Sequence, residues 1–162
     1  MLIKYFDFFI RCLATACSDE SIYFCRQNEE QTKGASGNSD IYFSEYRNGR
    51  YNEPKILDSM INSEFAETEP VIAPDNSYLI FISNRPGGFS KMMNLYVSFK
   101  DTKGNWSKAK CLSHYLKIDN ICFPSISYDG KYLFFCGGYP TKSGYSNSSY
   151  YWISANVIQN FR

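Results

Sequence analysis

The chain has a single histidine, no Cys-x-x-Cys pair, no glycine-rich loop followed by Lys-Ser/Thr, and no excess of either charge: 17 basic against 16 acidic side chains leave +1 over 162 residues. Each shortage excludes something. A near-zero net charge argues against a nucleic-acid binder or a protein held on an acidic membrane surface, and no apolar run reaches the roughly 18 to 20 residues of a membrane helix. A Ser-His-Asp or Cys-His enzyme would have to use His114, which stands in the loop-like CLSHYL with no Gly-x-Ser-x-Gly elbow anywhere. No catalytic residue is therefore expected. Zinc would need Cys111, His114, Cys122 and Cys136; the Cys111-x2-His114 spacing is suitable, but strand-like segments separate the others, so neither a metal nor a cofactor is expected. Glu67 and Glu69 are carboxylates two apart in one loop, read here as solvated rather than as a pair facing across a sugar. The Asp-bearing turns D-N-S-Y and D-G-K-Y lack the alternating oxygen ligands of a calcium loop.

What the chain does have is apolar and aromatic bulk. Hydrophobic residues make up 44%, aromatics 18% and charged residues 20%, too apolar for a disordered chain, and the Tyr- and Phe-rich content favours strands. Cys12, Cys17, Cys25, Cys111, Cys122 and Cys136 mostly fall in apolar stretches, where a thiol packs as a small hydrophobe; buried free thiols are expected. The opening MLIKYFDFFIRCLATACS is interrupted by Asp7 and Arg11, which a secretion-signal core tolerates poorly, so the chain as given reads as cytoplasmic.

Self-similarity organises the rest. Three segments share one pattern: ATACSDESIYFCRQ then DIYFSE then NGRYNEPKIL; EPVIAPDNSYLIFISNRPGG then NLYVSF then KGNWSKAKCL; FPSISYDGKYLFFCGGYP then YYWISA. A turn acid recurs at Asp19, Asp75 and Asp129, a strand-closing serine at Ser44, Ser98 and Ser154, and Gly49 to Leu57 matches Gly104 to Leu112 with Tyr51 and Trp106 at equivalent places. Each unit reads as up to four short antiparallel strands. The first is Val71–Ala73 or Ser125–Ser127, the second Tyr78–Ser83 or Tyr132–Cys136, the third Ile41–Ser44, Leu95–Ser98 or Tyr151–Ser154, and the fourth Tyr51–Leu57 or Trp106–Leu112.

The run FPSISYDGKYLFF (Phe123–Phe135) and the run EPVIAPDNSYLIFISNR (Glu69–Arg85) resemble the repeat of the TolB-like β-propeller family, a relative of the WD-type repeats, whose signature is P-S-I-S-P-D-G-K-Y-L-F-F-x-S-x-R followed by D-I-Y; ATACSDESIYF is a degenerate copy, one residue shorter in its turn. The resemblance runs from about Ala14 onward and implies an all-β fold of antiparallel, four-stranded propeller blades, about three of them in an incomplete ring. The blades would cover residues 14–57, 69–112 and 123–154, after an apolar segment 1–13 and before a tail 155–162 in which Val157, Ile158 and Phe161 suggest one or two helical turns. The third copy stops short of a fourth strand, and Leu2–Ile10 is a candidate to supply it from a partner in a ring-closing homodimer. Such repeats serve as binding platforms, accessory domains of peptidases and periplasmic assembly factors, and would place the chain outside the cytoplasm.

Connections within each unit alternate in length. Ser18–Ser21, Arg47–Arg50, Pro74–Ser77, Asp101–Asn105 and Tyr128–Lys131 are short; Arg26–Ser39, Asp58–Thr68, Arg85–Met93, Ser113–Ile121 and Gly137–Ser149 are long. An antiparallel meander puts all the long ones on one rim, where a rigid scaffold presents binding residues. Arg26, Asn84, Arg85, Tyr139 and Tyr145 are the candidate binding residues there, with Gly87–Gly88 leaving room for close approach. The competing reading makes Asn84 and Arg85 strand-ending residues paired to a neighbouring loop carboxylate. The function expected is non-enzymatic recognition of a protein or peptide, with a glycan as the alternative ligand; an accessory domain of a larger hydrolase is the rival from a different class. A nucleic-acid patch using Trp106 as a stacking platform is not expected.

Overall fold

A computed structural model describes residues 14–27, 39–138 and 148–162, together with the backbone of 140–141 and 144–145. The protein is all-β, built from antiparallel sheets. The first sheet has the order β1 (Thr15–Ala16), β2 (Ile22–Gln27), β3 (Ser39–Ser44), β6 (Lys55–Ile56), with a small hairpin of β4 (Tyr46–Arg47) and β5 (Arg50–Tyr51) between β3 and β6. The second is β7 (Glu67–Ile72), β8 (Tyr78–Ser83), β9 (Asn94–Phe99), β10 (Lys110–Cys111). A four-residue helix α1 (Ser113–Leu116) leads to the third sheet, β11 (Asp119–Ile126), β12 (Tyr132–Gly138), β15 (Ser149–Ser154), with a hairpin of β13 (Pro140–Thr141) and β14 (Gly144–Tyr145) in its last connection. A 3-10 helix spans Ala155–Phe161. The third sheet has three strands, as its missing Gly-turn and Trp/Tyr segment implied; Leu2–Ile10 lies outside the described residues.

The turn acids explain why each first hairpin forms. Asp19, Asp75 and Asp129 each accept from the backbone N–H two residues on, at 2.9, 3.1 and 3.1 Å, while Cys17 Sγ, Ser77 Oγ and Ser127 Oγ donate to the same carboxylates. The next residue takes a left-handed backbone at Glu20, Asn76 and Gly130, which Asn and Gly adopt at little cost. Register pairs Ala16↔Ile22, Ile72↔Leu79 and Ile126↔Leu133 show the first turn to be one residue shorter than the others.

Other boundaries shift for identifiable reasons. The first strands of the second and third units begin earlier than expected, because β7 and β11 continue through a bulge at Glu69–Pro70 and Phe123–Pro124, where Glu69 and Phe123 have φ of 50° and 52°. A proline cannot donate to a ladder, so the pairing skips a place there and resumes. The outer strands are shorter than expected: Pro54 interrupts the first, and Ala109 N–H turns away to Met60 O at 3.2 Å in the second. The serine series holds for Ser44 and Ser98, whose hydroxyls donate to Asn52 O and Ser107 O. Ser154 departs from it, since in register it takes the place of Phe99 and caps the terminal helix by accepting from Asn156 N–H.

The sheets stack face to face through two clusters. Tyr23, Ile41, Leu79, Phe81 and Tyr96 join the first sheet to the second; Ile80, Val97, Phe99, Leu133 and Phe135 join the second to the third, with Ala155 and Ile158 of the terminal helix closing that cluster. One stacked aromatic pair recurs across strand neighbours in every unit: Phe24–Tyr42, Phe81–Tyr96 and Phe135–Tyr151, with ring centroids 6.0, 5.9 and 5.6 Å apart. That register recurs although the residue identities around it drift.

The thiols are free at Cys17, Cys111, Cys122 and Cys136, whereas Cys25 is disulfide-bonded, against the expectation of thiols throughout. Burial, reinforced by the bond to Asp19, pushes the Cys17 thiol from 9.0 up to about 11, and burial with Cys136 alongside does the same to Cys122. Below pH 9 the folded and unfolded chains both hold these protons and the stability is complete. Between pH 9 and 11 the unfolded chain releases protons that the folded one keeps, so stability is lost through that window. Thermal melts are expected to show Tm falling from pH 9 to 11, and a Cys17→Ala/Cys122→Ala double variant to fall less steeply.

Candidate functional site

The meander order places the β2–β3, β6–β7, β8–β9, β10–β11 and β12–β15 connections at one end of the sheets, and the geometry of that rim is best defined on the second sheet. Its centre is Glu67, whose side chain is wholly buried. Glu67 Oε2 accepts from Ser63 N–H at 2.8 Å, and Oε1 accepts from Ser63 Oγ at 2.7 Å, Ser83 Oγ at 2.8 Å and Arg85 Nη2 at 2.8 Å. Expected as solvated loop carboxylates, Glu67 and Glu69 instead lie in β7, Glu67 in this pocket and Glu69 half-buried with its carboxyl raised by burial and accepting from Phe123 N–H. A carboxylate removed from water must recover its lost hydration as hydrogen bonds, and Glu67 does so with four.

Arg85 is held from several directions. Besides Glu67, its Nη2 donates to Ile61 O and its Nε to Ser83 Oγ, and its guanidinium lies 5.3 and 5.0 Å from the ring centroids of Phe81 and Tyr96. The stacked aromatic pair at the rim end of the sheet is thus a platform under a cation. Tyr96, buried in the same place, has its phenol pushed up to about 12. The remaining amine, Nη1, makes no hydrogen bond to a described residue. Asn84 Oδ1 accepts from Ala66 N–H at 3.0 Å, fastening the end of β8 to the preceding connection.

The Gly87–Gly88 pair serves the loop itself. A Cβ on Gly88 would fall 2.2 Å from Asn94 Nδ2, and that fully buried Asn94 binds both Ser90 N–H and Ser90 O. His114 Nε2–H donates to Gly87 O at 2.8 Å, tying α1 to the same loop. Of the other expected binding residues, Arg26 is exposed at the rim end of β2 with Asp40 as its cross-strand neighbour. Tyr145 is in β14 and its side chain is outside the described set; Tyr139 lies outside the described residues. The structure therefore brings Asn84 and Arg85 together and leaves Arg26 on a neighbouring sheet. Ile61, Ser63 and Glu67 were not anticipated; their only sequence signal was the serine-glutamate spacing Ser63-x3-Glu67, which does not reveal burial.

At the opposite end, Trp106 is only 9% exposed and meets Tyr23 edge-on, so it is part of the core and not a stacking platform. Lys100 lies over it, Nζ 4.6 Å from the ring, and donates to Tyr23 Oη and Asn76 Oδ1 at 2.8 Å each. Burial lowers its pKa. This lysine bridges the first two sheets, and Lys100→Met is expected to cost about 1–2 kcal/mol in urea denaturation, since a cation over an aromatic face and hydrogen bonds to a charged group each contribute on that order.

Two grooves open at that end, one of about 480 Å³ beside Lys100, Trp106, Lys110 and Arg162, the other of about 320 Å³ between the Asp75 and Asp129 turns and Ala155–Gln159. Among the described residues no group of three or more His, Cys, Asp and Glu could hold a metal, and no helix is long and apolar enough to cross a membrane.

No protein-family model matches the chain, and no curated protein matches it.

Proposed function

We propose that this protein is a non-enzymatic binding scaffold of the β-propeller type, its stacked meander sheets acting as blades of the TolB-like kind, and that it recognises a peptide or protein segment on the long-connection rim. The observation that carries the reading is topological: the β2–β3, β6–β7, β8–β9, β10–β11 and β12–β15 connections all leave the meander sheets at one end. Arg85 supplies the anchor. Its Nη2 edge is consumed by Glu67 and Ile61, which fixes the plane of the guanidinium, and Nη1 would meet a carbonyl or carboxylate of the ligand at little entropic cost. Arg26 and His114 extend the same rim with exposed polar groups.

A random peptide library displayed on phage and panned against the intact chain tests this, with a glycan array run in parallel. Enriched peptides are expected to lose at least about tenfold in affinity on Arg26→Ala or His114→Ala, the cost of removing one anchor contact, and to be indifferent to Lys103→Ala at the far end. No enrichment on either platform, or binders indifferent to both rim variants, would overturn the proposal.

A further inference from the structure

The outer face of the third sheet presents aromatic side chains without a charge among them. Phe134 and Trp152 are cross-strand neighbours, flanked by Tyr132 and Tyr150. Their exposures are 41% for Tyr132 and Phe134, 64% for Trp152 and 89% for Tyr150. The register of the units says what this face is. The pair Phe134↔Trp152 takes the place of Ile80↔Val97 in the second sheet, and Tyr132↔Ser154 that of Tyr78↔Phe99. In the second sheet those positions are buried against the third. The open face is thus a sheet-stacking surface repeated once more, with nothing from the described residues laid on it.

We infer that this face receives the same face of a second copy of the chain, giving an isologous dimer whose two third sheets stack across a twofold axis. Three observations favour that occupant. An aromatic side chain of this kind buries about 150–250 Å², so the four open residues supply on the order of 500 Å² per copy, and about 1,000 Å² across a pair is where a specific interface begins. The adjoining charges are already matched, Lys131 Nζ lying 3.1 Å from Asp129 Oδ2, so two copies meet without like-charge opposition. A head-to-tail contact would instead have to use the outer face of the first sheet, where among the described residues Phe24 is 1% and Ile22 7% exposed and only Ile56, at the sheet edge and 52% exposed, is a large apolar side chain left open. A face-to-face dimer closes on itself and stops at two. Tyr132 and Trp152 already meet edge-on at 5.4 Å, so the cluster is ordered before association.

The test uses the full chain from about 1 to 100 µM, a range spanning ordinary dimer affinities, with light scattering on a sizing column and intrinsic fluorescence. The mass is expected to approach twice 18.7 kDa with concentration. In a Trp106→Phe background, Trp152 is the sole tryptophan, and its emission is expected to shift to the blue over the same range. Trp152→Ser is expected to weaken association at least about tenfold. Tyr150→Lys, at the most exposed position of the four, is expected to do the same and keeps the test decisive if Trp152→Ser disturbs the fold. A monomer at every concentration, a dimer indifferent to Tyr150→Lys, or growth beyond the dimer would each overturn the inference.

Discussion

Glu67→Ala is expected to destabilise the protein by about 3–5 kcal/mol, the range found when one partner of a buried ion pair is removed. The loss has identifiable parts. Arg85, with its side chain only 17% exposed, would keep its charge without a counter-ion; Ser63 and Ser83 would lose the acceptor of their hydroxyls, and Ser63 N–H would be left without its partner as well. For a chain of this size, Tm should fall by about 10 °C. Glu67→Gln keeps the shape and loses the charge, so its cost should be smaller. The double variant Glu67→Ala/Arg85→Met should cost less than the two single losses together, because the stranded cation is removed with its partner. Urea denaturation of the four proteins measures this, and an additive cycle would show that the two side chains do not act as a unit.

Phe81→Ala should also cost about 3–5 kcal/mol, the usual price of emptying a fully packed aromatic site. Phe81 is wholly buried between the first and second sheets, stacks on Tyr96, and lies beneath the Arg85 guanidinium. Phe134→Ala, on the open face of the third sheet, should cost under about 1 kcal/mol in dilute solution, where 41% of the residue already meets water. Denaturation midpoints of the two variants at the same low concentration make the comparison. Equal losses would mean that the face carrying Phe134 is covered in the isolated chain.

Much of the fold was legible because its signals are local. An Asp followed two residues later by a backbone N–H, with Asn or Gly between, closes a turn whatever surrounds it; Asp75 and Asp129 do this as their neighbours imply. Short continuous runs of apolar and aromatic residues then place Tyr78–Ser83 and Tyr132–Cys136 in strands. The bulges at Glu69–Pro70 and Phe123–Pro124 escaped, because a proline in a strand can equally mark its beginning. Ser154 was assigned with Ser44 and Ser98 on spacing alone, and only the pairing register showed it one place out of line.

The candidate site was half legible. Asn84 and Arg85 stand out as polar residues ending an apolar strand; the pairing to a carboxylate holds for Arg85, though the carboxylate lies in a strand, while Asn84 accepts from Ala66 N–H instead. Which carboxylate was not readable: Glu67, Glu69 and Glu64 lie in the same stretch and differ little in composition. Only β7 pairing with β8, with Glu67 opposite Ser83, turns one of them inward beside Arg85.

By itself, then, the order of residues determined the all-β character, the Asp-bearing turns and the antiparallel strands they join, all of which depend on contacts a few residues apart. The tertiary structure decided which face of each sheet is covered, that Glu67 is buried while Glu64 is exposed and Glu69 half-buried, that Trp106 belongs to the core under Lys100, and that the aromatic face of the third sheet is left open by the described residues. Those outcomes depend on what lies about 10 Å away across a sheet stack, and a continuous apolar run along a strand is compatible with either face being the one that meets water.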